Sequence, residues 1–182
     1  KSEEQQNEIN SKVLEIKESL EKRGITVKYD NRDTHKPGWK FAEYEMKGVP
    51  IRLAIGMRDI ENNTIEVARR DTLEKEIIEI DKIEEKVAIL LDQIQDNLFN
   101  KAISFRKDNT HIANTYDEFK KLIDKGGFVY AHWDGTSETE EMIKNKTKAT
   151  IRCIPQKNDE GEGECIFSKN KSNQRVLFAK AY

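Results

Sequence analysis

Cysteine and long apolar runs are both scarce in this sequence of 182 residues. The two cysteines, Cys153 and Cys165, are too few for a disulfide framework, and they suit a reducing compartment. No apolar run approaches the roughly 20 residues of a membrane-spanning helix, and the first residues contain no apolar segment typical of a signal peptide. These absences argue against a disulfide-stabilised secreted domain and against a membrane protein. We therefore expect a cytoplasmic protein.

An excess of either charge is also missing. Charged residues make up 36% of the chain, but 32 basic residues nearly balance 34 acidic ones, which leaves a net charge of −2. A protein that coats nucleic acid nonspecifically would be strongly basic. Any contact with RNA must therefore come from a local patch of this surface.

Groups that usually carry catalysis are sparse as well. The three histidines, His35, His111 and His132, lie far apart, and no serine or cysteine stands in a nucleophile elbow. No glycine-rich phosphate loop is present. We interpret His132 as a loop histidine satisfied by the backbone. The sequence thus predicts no catalytic residue, and a small α/β enzyme is the least favoured alternative.

Hydrophobic periodicity predicts alternating helices and strands, the pattern of a sheet layered with helices. In the long helix, one apolar stripe from Ile83 through Leu98 to Phe105 is expected to pack in the core. Later in the chain, Ser137 is the expected N-cap of a polar helix. Helices are predicted over 8–23, 39–46, 83–105, 116–123 and 136–146, strands over 25–29, 51–55, 64–68, 76–80, 128–131, 149–154 and 176–179, a turn over 132–135 and a mobile acidic loop over 156–164.

Charges of both signs concentrate between Lys36 and Lys75, on the helix, loops and strand ends of one short unit. Two interpretations remain open from the charge pattern alone. The charges form either a recognition surface or ordinary surface ion pairs, which contribute little.

The amino-acid sequence of this stretch also resembles that of a known protein family. The segment PGWKFAEYEMKGVPIRLAIGMRD closely resembles the anticodon-binding domain of the eukaryote/archaeal-like prolyl-tRNA synthetases, which are class II enzymes. The segments GGFVYAHWDGTSETEEMIKNKTKATIRCIP and RVLFAKAY resemble the extra C-terminal domain of that form. The resemblance implies an α/β domain over 1–107, with helices on a mixed sheet, and a small α+β domain over 108–182. Because the family's first domain opens with a strand that this sequence lacks, the chain is expected to be a fragment or a separately numbered piece, with an open sheet edge.

The resemblance also implies which residues read the anticodon. Proline anticodons carry two guanines, whose N1–H and N2–H donors match a carboxylate, while their O6 and N7 acceptors match Arg or Lys. By motif, Glu45 and Arg52 hold reading positions, Arg58 stands where the family has Lys or Arg, and Lys75 matches less closely. Lys40 and Lys47 are candidate phosphate contacts. Glu43 lies about 200° from Glu45 around a helix, so only one of the two can face a given base.

The parent enzyme implied by the resemblance joins proline to tRNA(Pro) through a prolyl-adenylate, using ATP and Mg²⁺. Its partners would be tRNA(Pro), its own catalytic domain and a second copy in a homodimer. The fragment alone is expected to be non-catalytic, and the carboxylate of Tyr182 is expected to reach toward the active site. The alternative is an anticodon-domain-like accessory or interaction module without a role in tRNA charging.

Zinc is the one family ligand that the sequence argues against. Many relatives hold zinc with a C-x4-C pair and a C-x2-C pair. The corresponding positions here are Trp133, Glu138, Cys165 and Ser168. One thiol cannot complete the four-donor shell of structural zinc, so we expect no metal, with Trp133 covering the space that a metal would fill.

Overall fold

The computed structural model describes residues 2–156 and 161–180. It divides into two compact units, Lys1–Asn100 and Lys101–Tyr182. The helix that contains residue 100 also runs past the domain boundary predicted after residue 107, and ends at Asp108. Both units combine helices with a sheet, which confirms the expected α/β class.

The described chain from residue 2 to Asp108 forms four α-helices, a 3₁₀ turn and three strands. In chain order they are α1 (Glu3–Lys22), α2 (Pro37–Met46), β1 (Ile51–Ala54), α3 (Met57–Glu61), β2 (Thr64–Arg69), β3 (Lys75–Glu79), the 3₁₀ turn Ile80–Lys82 and α4 (Ile83–Asp108). Ser2 and Gln5 form a capping box that starts α1, and Pro37 occupies the first turn of α2, where its missing N–H has no partner to lose.

The three strands pair in the order β1-β2-β3, and both pairings are antiparallel. Because side chains alternate between the two faces of a strand, the register assigns each residue to one face. Leu53, opposite Val67, faces a core that also includes Ile16 and Leu20 of α1 and Val87 and Leu90 of α4. Arg52 and Lys75 both pair with Ala68, so these two basic residues share the other face.

The predicted strand over 25–29 does not form. Ile25 and Val27 pack against the core, so their apolar alternation is satisfied without a strand partner. Among the residues that the structure describes, strand β1 pairs with β2 alone, and 25–29 joins no sheet. A strand is defined by its ladder of hydrogen bonds, which apolar alternation does not supply.

The apolar stripe of α4 is buried only in its first half. Ile83, Val87, Leu90 and Ile94 are buried, whereas Leu98 is 47% and Phe105 is 70% exposed, so the predicted core packing is wrong for both. A helix of 26 residues is about 39 Å long, and a strand of six residues spans about 20 Å. The three-stranded sheet is therefore too short to cover the whole stripe.

The rest of the described chain forms a four-stranded sheet, in which the strands follow the order 110–112, 128–133, 174–180 and 149–153, with a short hairpin beside it. Its core is apolar, and the rings of Phe119 and Phe178 meet edge to face with centroids 5.1 Å apart. The elements are β4 (Thr110–Ile112), α5 (Tyr116–Lys125), β5 (Phe128–Trp133), α6 (Ser137–Thr147), β6 (Ala149–Cys153), β7 (Gly163–Glu164), β8 (Lys171–Ser172) and β9 (Gln174–Lys180).

Gly127 allows the entry into β5. Its φ is +90°, and a Cβ placed there would lie 2.5 Å from the carbonyl oxygen of Asn109. That carbonyl accepts a hydrogen bond from the N–H of Phe128 at 2.8 Å, so a side chain at 127 would disrupt the start of the β4–β5 pairing.

Three predictions for this unit need correction or fall outside the description. His132 and Trp133 belong to β5 rather than to a turn, and His132 is buried beside Ser172, whose Oγ lies 3.1 Å from His132 Nδ1. The N-cap of α6 is Thr136, whose Oγ1 accepts from the N–H of Thr139, and not Ser137. Within the predicted mobile loop, residues 157–160 lie outside the described ranges. In residues 2–156 and 161–180, no helix has both the length and the apolarity to cross a bilayer.

Candidate nucleic-acid interface

A narrow cleft between α2 and the strands β1 and β2 contains acidic, basic and aromatic side chains. It opens on the sheet face that carries Arg52, opposite the apolar core. The residues that line the cleft are Phe41, Tyr44, Glu45, Val49, Arg52, Ala68, Arg69 and Arg70.

Arg52 is the most constrained charged group of this cleft. Its guanidinium carbon lies 3.6 Å from the centroid of the Phe41 ring, and its Nη1 donates to Glu66 Oε1 at 3.1 Å. The side chain is only 13% exposed. Its Nε is buried, and the described residues offer it no hydrogen-bond partner. Stacking on Phe41 and the bond to Glu66 therefore fix the plane of the guanidinium, which favours recognition of a planar partner.

Lys75 lies on the same row of the sheet as Arg52, across Ala68. Its Nζ is 3.8 Å from the Glu66 oxygen that Arg52 contacts, so one carboxylate lies between two cations. The side chain of Lys75 is 57% exposed. It can therefore leave Glu66 and reach a ligand at little cost.

Glu45 occupies the last turn of α2 and is exposed. The neighbouring Arg70 donates from its Nε to the backbone oxygen of Glu45 at 2.8 Å, which ties the loop after β2 to the end of the helix. Glu43, in contrast, accepts from Lys47 and from Arg32, each at 2.5 Å, and these bonds lower the pKa of its carboxyl group. The geometry thus leaves Glu45 as the carboxylate of α2 that lines the cleft.

Arg58 lies apart from this group. It belongs to α3, which follows the carboxyl end of β1, and it is exposed. Gly56 is the N-cap of the short helix α3, and its N–H donates to Asp59 Oδ2 at 2.7 Å. The structure therefore brings Glu45, Arg52 and Lys75 to one face of the sheet, with Arg58 beyond its end.

The two candidate phosphate contacts differ in their surroundings. Lys40 is 17% exposed, and its Nζ donates to the backbone oxygens of Asp30 and Arg32, so it holds the loop before α2. Lys47 is 58% exposed and lies 5.3 Å from the centroid of the Tyr44 ring, besides its bond to Glu43. The phosphate role of both residues stays a prediction, and Lys47 is the more accessible of the two.

Three residues in or beside the cleft that contact the predicted site residues were absent from the prediction. Phe41 stacks under Arg52, Glu66 bridges Arg52 and Lys75, and Arg70 binds the end of α2. Alternation in β2 carried a signal for Glu66, because a polar residue between buried Ile65 and Val67 must lie on the face away from the core.

Positions 133, 138, 165 and 168, where the resemblance would place zinc ligands, do not provide four metal donors. Trp133 donates its Nε1–H to the backbone oxygen of Thr136, and Ser168 Oγ donates to Asp134 Oδ2 at 2.6 Å. Burial tends to raise the pKa of Asp134, but hydrogen bonds from Ser168, Thr139 and Thr136 outweigh it and lower the pKa to about 2. Within residues 2–156 and 161–180, no group of three or more His, Cys, Asp or Glu side chains could hold a metal ion. The metal prediction stays a prediction, and Tyr182 lies outside the described residues.

Two family models match separate parts of the chain. The model described as "Anticodon binding domain" matches residues 2–89, and the model described as "Prolyl-tRNA synthetase, C-terminal" matches residues 116–182. The cleft with Glu45 and Arg52, and Lys75 on the same sheet face, lie within the first match.

Similar proteins among curated relatives are named proline--tRNA ligase. One from Porphyromonas gingivalis (strain W83) is 59% identical over 182 residues, one from Parabacteroides distasonis is 59% identical over 182 residues, and one from Flavobacterium johnsoniae is 55% identical over 185 aligned residues. Each alignment covers 100% of this chain but only 37% of the relative's length. The chain therefore spans little more than a third of the proteins that it matches.

Proposed function

The chain belongs to the prolyl-tRNA synthetase family, as an anticodon-binding domain followed by the C-terminal domain, and on that premise we propose that it binds the anticodon of tRNA(Pro). The observation that carries this proposal is the cleft between α2 and the sheet. There an exposed carboxylate, Glu45, lies near a guanidinium whose plane is fixed, Arg52. This pairing of one acceptor group with one donor group suits a guanine base.

In this proposal each group meets a different edge of a base. The two oxygens of Glu45 accept from the N1–H and N2–H of one guanine, and Arg52 donates to O6 and N7 acceptors, as arginine does in bidentate guanine contacts. Lys75 adds a donor on the same face of the sheet. Arg58 contributes a separate donor beyond the end of β1, and Lys47 and Lys40 are proposed for the phosphate backbone.

For the whole protein we propose the activity named in its relatives, the joining of proline to tRNA. We further propose that the tRNA is tRNA(Pro) and that the reaction uses ATP and Mg²⁺ through a prolyl-adenylate, as the family resemblance implies. The chemistry would belong to a catalytic domain outside these 182 residues, within a cytoplasmic homodimer. We divide the present chain functionally into an anticodon-binding part over 1–107 and a C-terminal part over 108–182. The carboxylate of Tyr182 is proposed to reach toward the active site.

The proposal is tested by titrating the chain with two anticodon stem-loops. One carries the proline anticodon, and the other has adenine in place of both guanines. We expect tighter binding of the first by about 10-fold or more, because each good bidentate contact contributes about 1–3 kcal/mol of discrimination. Equal affinity for the two RNAs would refute anticodon reading and leave an interaction module without tRNA specificity.

A second experiment addresses catalysis. We expect the isolated chain to show no proline-dependent exchange between ATP and pyrophosphate, and a full-length protein to show it. Exchange by the isolated chain would contradict the proposal that its role is RNA binding.

A further inference from the structure

The most exposed large hydrophobic side chains are unevenly distributed. Within residues 2–156 and 161–180, four such side chains are at least 70% exposed, namely Met46, Leu73, Ile77 and Phe105. Met46 ends α2 directly after Glu45, Leu73 lies in the loop between β2 and β3, and Ile77 lies in β3. Three of the four therefore belong to elements that form or adjoin the candidate cleft, whereas Phe105 lies near the end of α4. We call Met46, Leu73 and Ile77 the apolar rim.

The sheet register puts Ile77 on the face of the basic residues. Ile77 of β3 pairs with Glu66 of β2. Lys75 lies two residues before Ile77 and pairs with Ala68, and Ala68 also pairs with Arg52 on its other side. Ile77 is 71% exposed, so no other part of the described chain covers it. An isoleucine and two cations thus share one open surface.

Leu73 adds a conformational argument. Its φ is +62°, in the left-handed region, which costs a residue with a Cβ roughly 1–2 kcal/mol. Glycine or asparagine would adopt this conformation with less strain. The side chain of Leu73 is also 72% exposed, so packing within the described chain does not offset the strain of its backbone.

The loop that carries Leu73 is firmly held. Asp71 accepts from Arg69 and from Asn97, each at 2.7 Å, and its side chain is only 2% exposed. The N–H of Arg69 donates to the oxygen of Glu74 at 3.0 Å and closes the loop. Leu73 is therefore presented outward by an ordered loop rather than by a frayed one.

We propose that Met46, Leu73 and Ile77 pack against the faces of unpaired bases that flank those read in the cleft. This inference rests on the proposed anticodon binding. Unpaired RNA bases present flat apolar faces that stack on side chains, and aliphatic side chains serve as wedges between bases in other nucleic-acid complexes. The rim residues adjoin the groups proposed to read the bases, because Met46 follows Glu45 and Ile77 shares its sheet face with Arg52 and Lys75, and this continuity favours neighbouring bases of the same RNA strand over a protein surface.

The test compares three single variants with the unchanged chain, Met46→Gln, Leu73→Asn and Ile77→Thr. Each removes apolar surface; Met46→Gln keeps a good helix former, Ile77→Thr keeps a β-branched residue in its strand, and Leu73→Asn introduces a residue that suits the left-handed backbone. The control is Phe105→Ala, which removes an equally exposed hydrophobic side chain far along the sequence from the cleft. The probe is the proline anticodon stem-loop, titrated at several salt concentrations.

Each rim variant should weaken binding by about 3- to 10-fold, the factor expected when a partly buried aliphatic contact is lost. The dependence of affinity on salt should keep its slope, because no phosphate contact is removed. Leu73→Asn should also keep or raise the melting temperature, since it relieves the strained backbone. Binding would then weaken without a loss of stability, which a purely structural leucine would not produce.

Several outcomes would overturn the inference. They are unchanged affinity in all three variants, an equal loss with Phe105→Ala, or a lower melting temperature for Leu73→Asn. Unchanged RNA affinity would leave a protein partner as the occupant of the rim. If the unchanged chain itself fails to prefer the guanine-containing stem-loop, the proposed function fails first, so the two failures are distinguishable.

Discussion

Replacing Arg52 by lysine keeps the charge of the cleft but removes the planar group, and this makes it the sharpest single perturbation of the site. Arg52 stacks at 3.6 Å on Phe41 and donates to Glu66 at 3.1 Å. A lysine ammonium can still meet Glu66, but it has no plane to stack and only a point charge to offer a base.

The magnitude follows from two contacts that lysine cannot fully reproduce, because its ammonium can lie over the Phe41 ring but can neither stack flat on it nor contact guanine with two parallel donors. A cation–π contact of this kind contributes about 1 kcal/mol, which should appear as a small loss of stability. A bidentate contact with guanine contributes about 1–3 kcal/mol of discrimination, which corresponds to roughly 10- to 100-fold. Arg52→Lys should therefore leave the fold intact and reduce the preference for guanine over adenine by at least about 10-fold.

The assay is a titration of both stem-loops with the Arg52→Lys chain, together with thermal unfolding. Arg23→Lys is a matched control, because Arg23 is a surface residue paired with Glu84 at 2.9 Å in another part of the first unit. An Arg52→Lys chain that keeps its full preference for guanine would refute the argument that the fixed plane of Arg52 reads a base.

Other positions of the same unit give further predictions. Glu45→Gln turns one acceptor oxygen into a donor and should weaken the guanine stem-loop about 10-fold in titrations, with little effect on the adenine one. Lys75→Ala should flatten the slope of log affinity against log salt by about one if Lys75 meets a phosphate, and lower guanine preference at unchanged slope if it meets a base. Asp71 should stabilise the fold by about 1–2 kcal/mol above pH ~4, because Arg69 lowers its pKa to about 2 in the folded chain. That contribution should vanish as the pH falls toward about 2, and Asp71→Asn should flatten acid unfolding curves in this range. Glu66→Gln should raise affinity for all RNAs and reduce guanine preference, because it frees two cations from their shared carboxylate.

Periodicity located most elements of this fold, because the apolar stripes of α1, the first half of α4 and the strand β2 all face one core. Periodicity failed where an apolar segment had no neighbouring strand or sheet to pair with or pack against. Ile25 and Val27 alternate as in a strand, yet they pack against the core outside any sheet. Leu98 and Phe105 continue the stripe of α4, but a short sheet cannot reach them. Such outcomes depend on element lengths and pairings that no local pattern contains.

The residues of the candidate site were likewise predicted from the sequence only in part. Glu45 and Arg52 were selected from motif resemblance, and they line one cleft. Glu66 was not selected, because its role appears only when β1, β2 and β3 are paired and one carboxylate falls between Arg52 and Lys75. Phe41 was missed for a similar reason, since its ring contacts Arg52 only after α2 packs on the sheet. Contacts across elements were therefore the part that sequence reasoning could not supply.

The balance of charge at this surface has a consequence for selectivity. Two cations of the sheet share one carboxylate, so a phosphate backbone must displace Glu66 before it gains their full attraction. A base edge that presents acceptors to Arg52 and donors to Glu45 meets a positive and a negative group at once, and it displaces Glu66 less than a phosphate does. The site thus discourages contacts that depend on charge alone, which dominate nonspecific RNA binding, and favours contacts that depend on the hydrogen-bond pattern. On this argument the near-neutral composition of the chain is itself a source of specificity, since a more basic surface would bind many RNAs and discriminate among few.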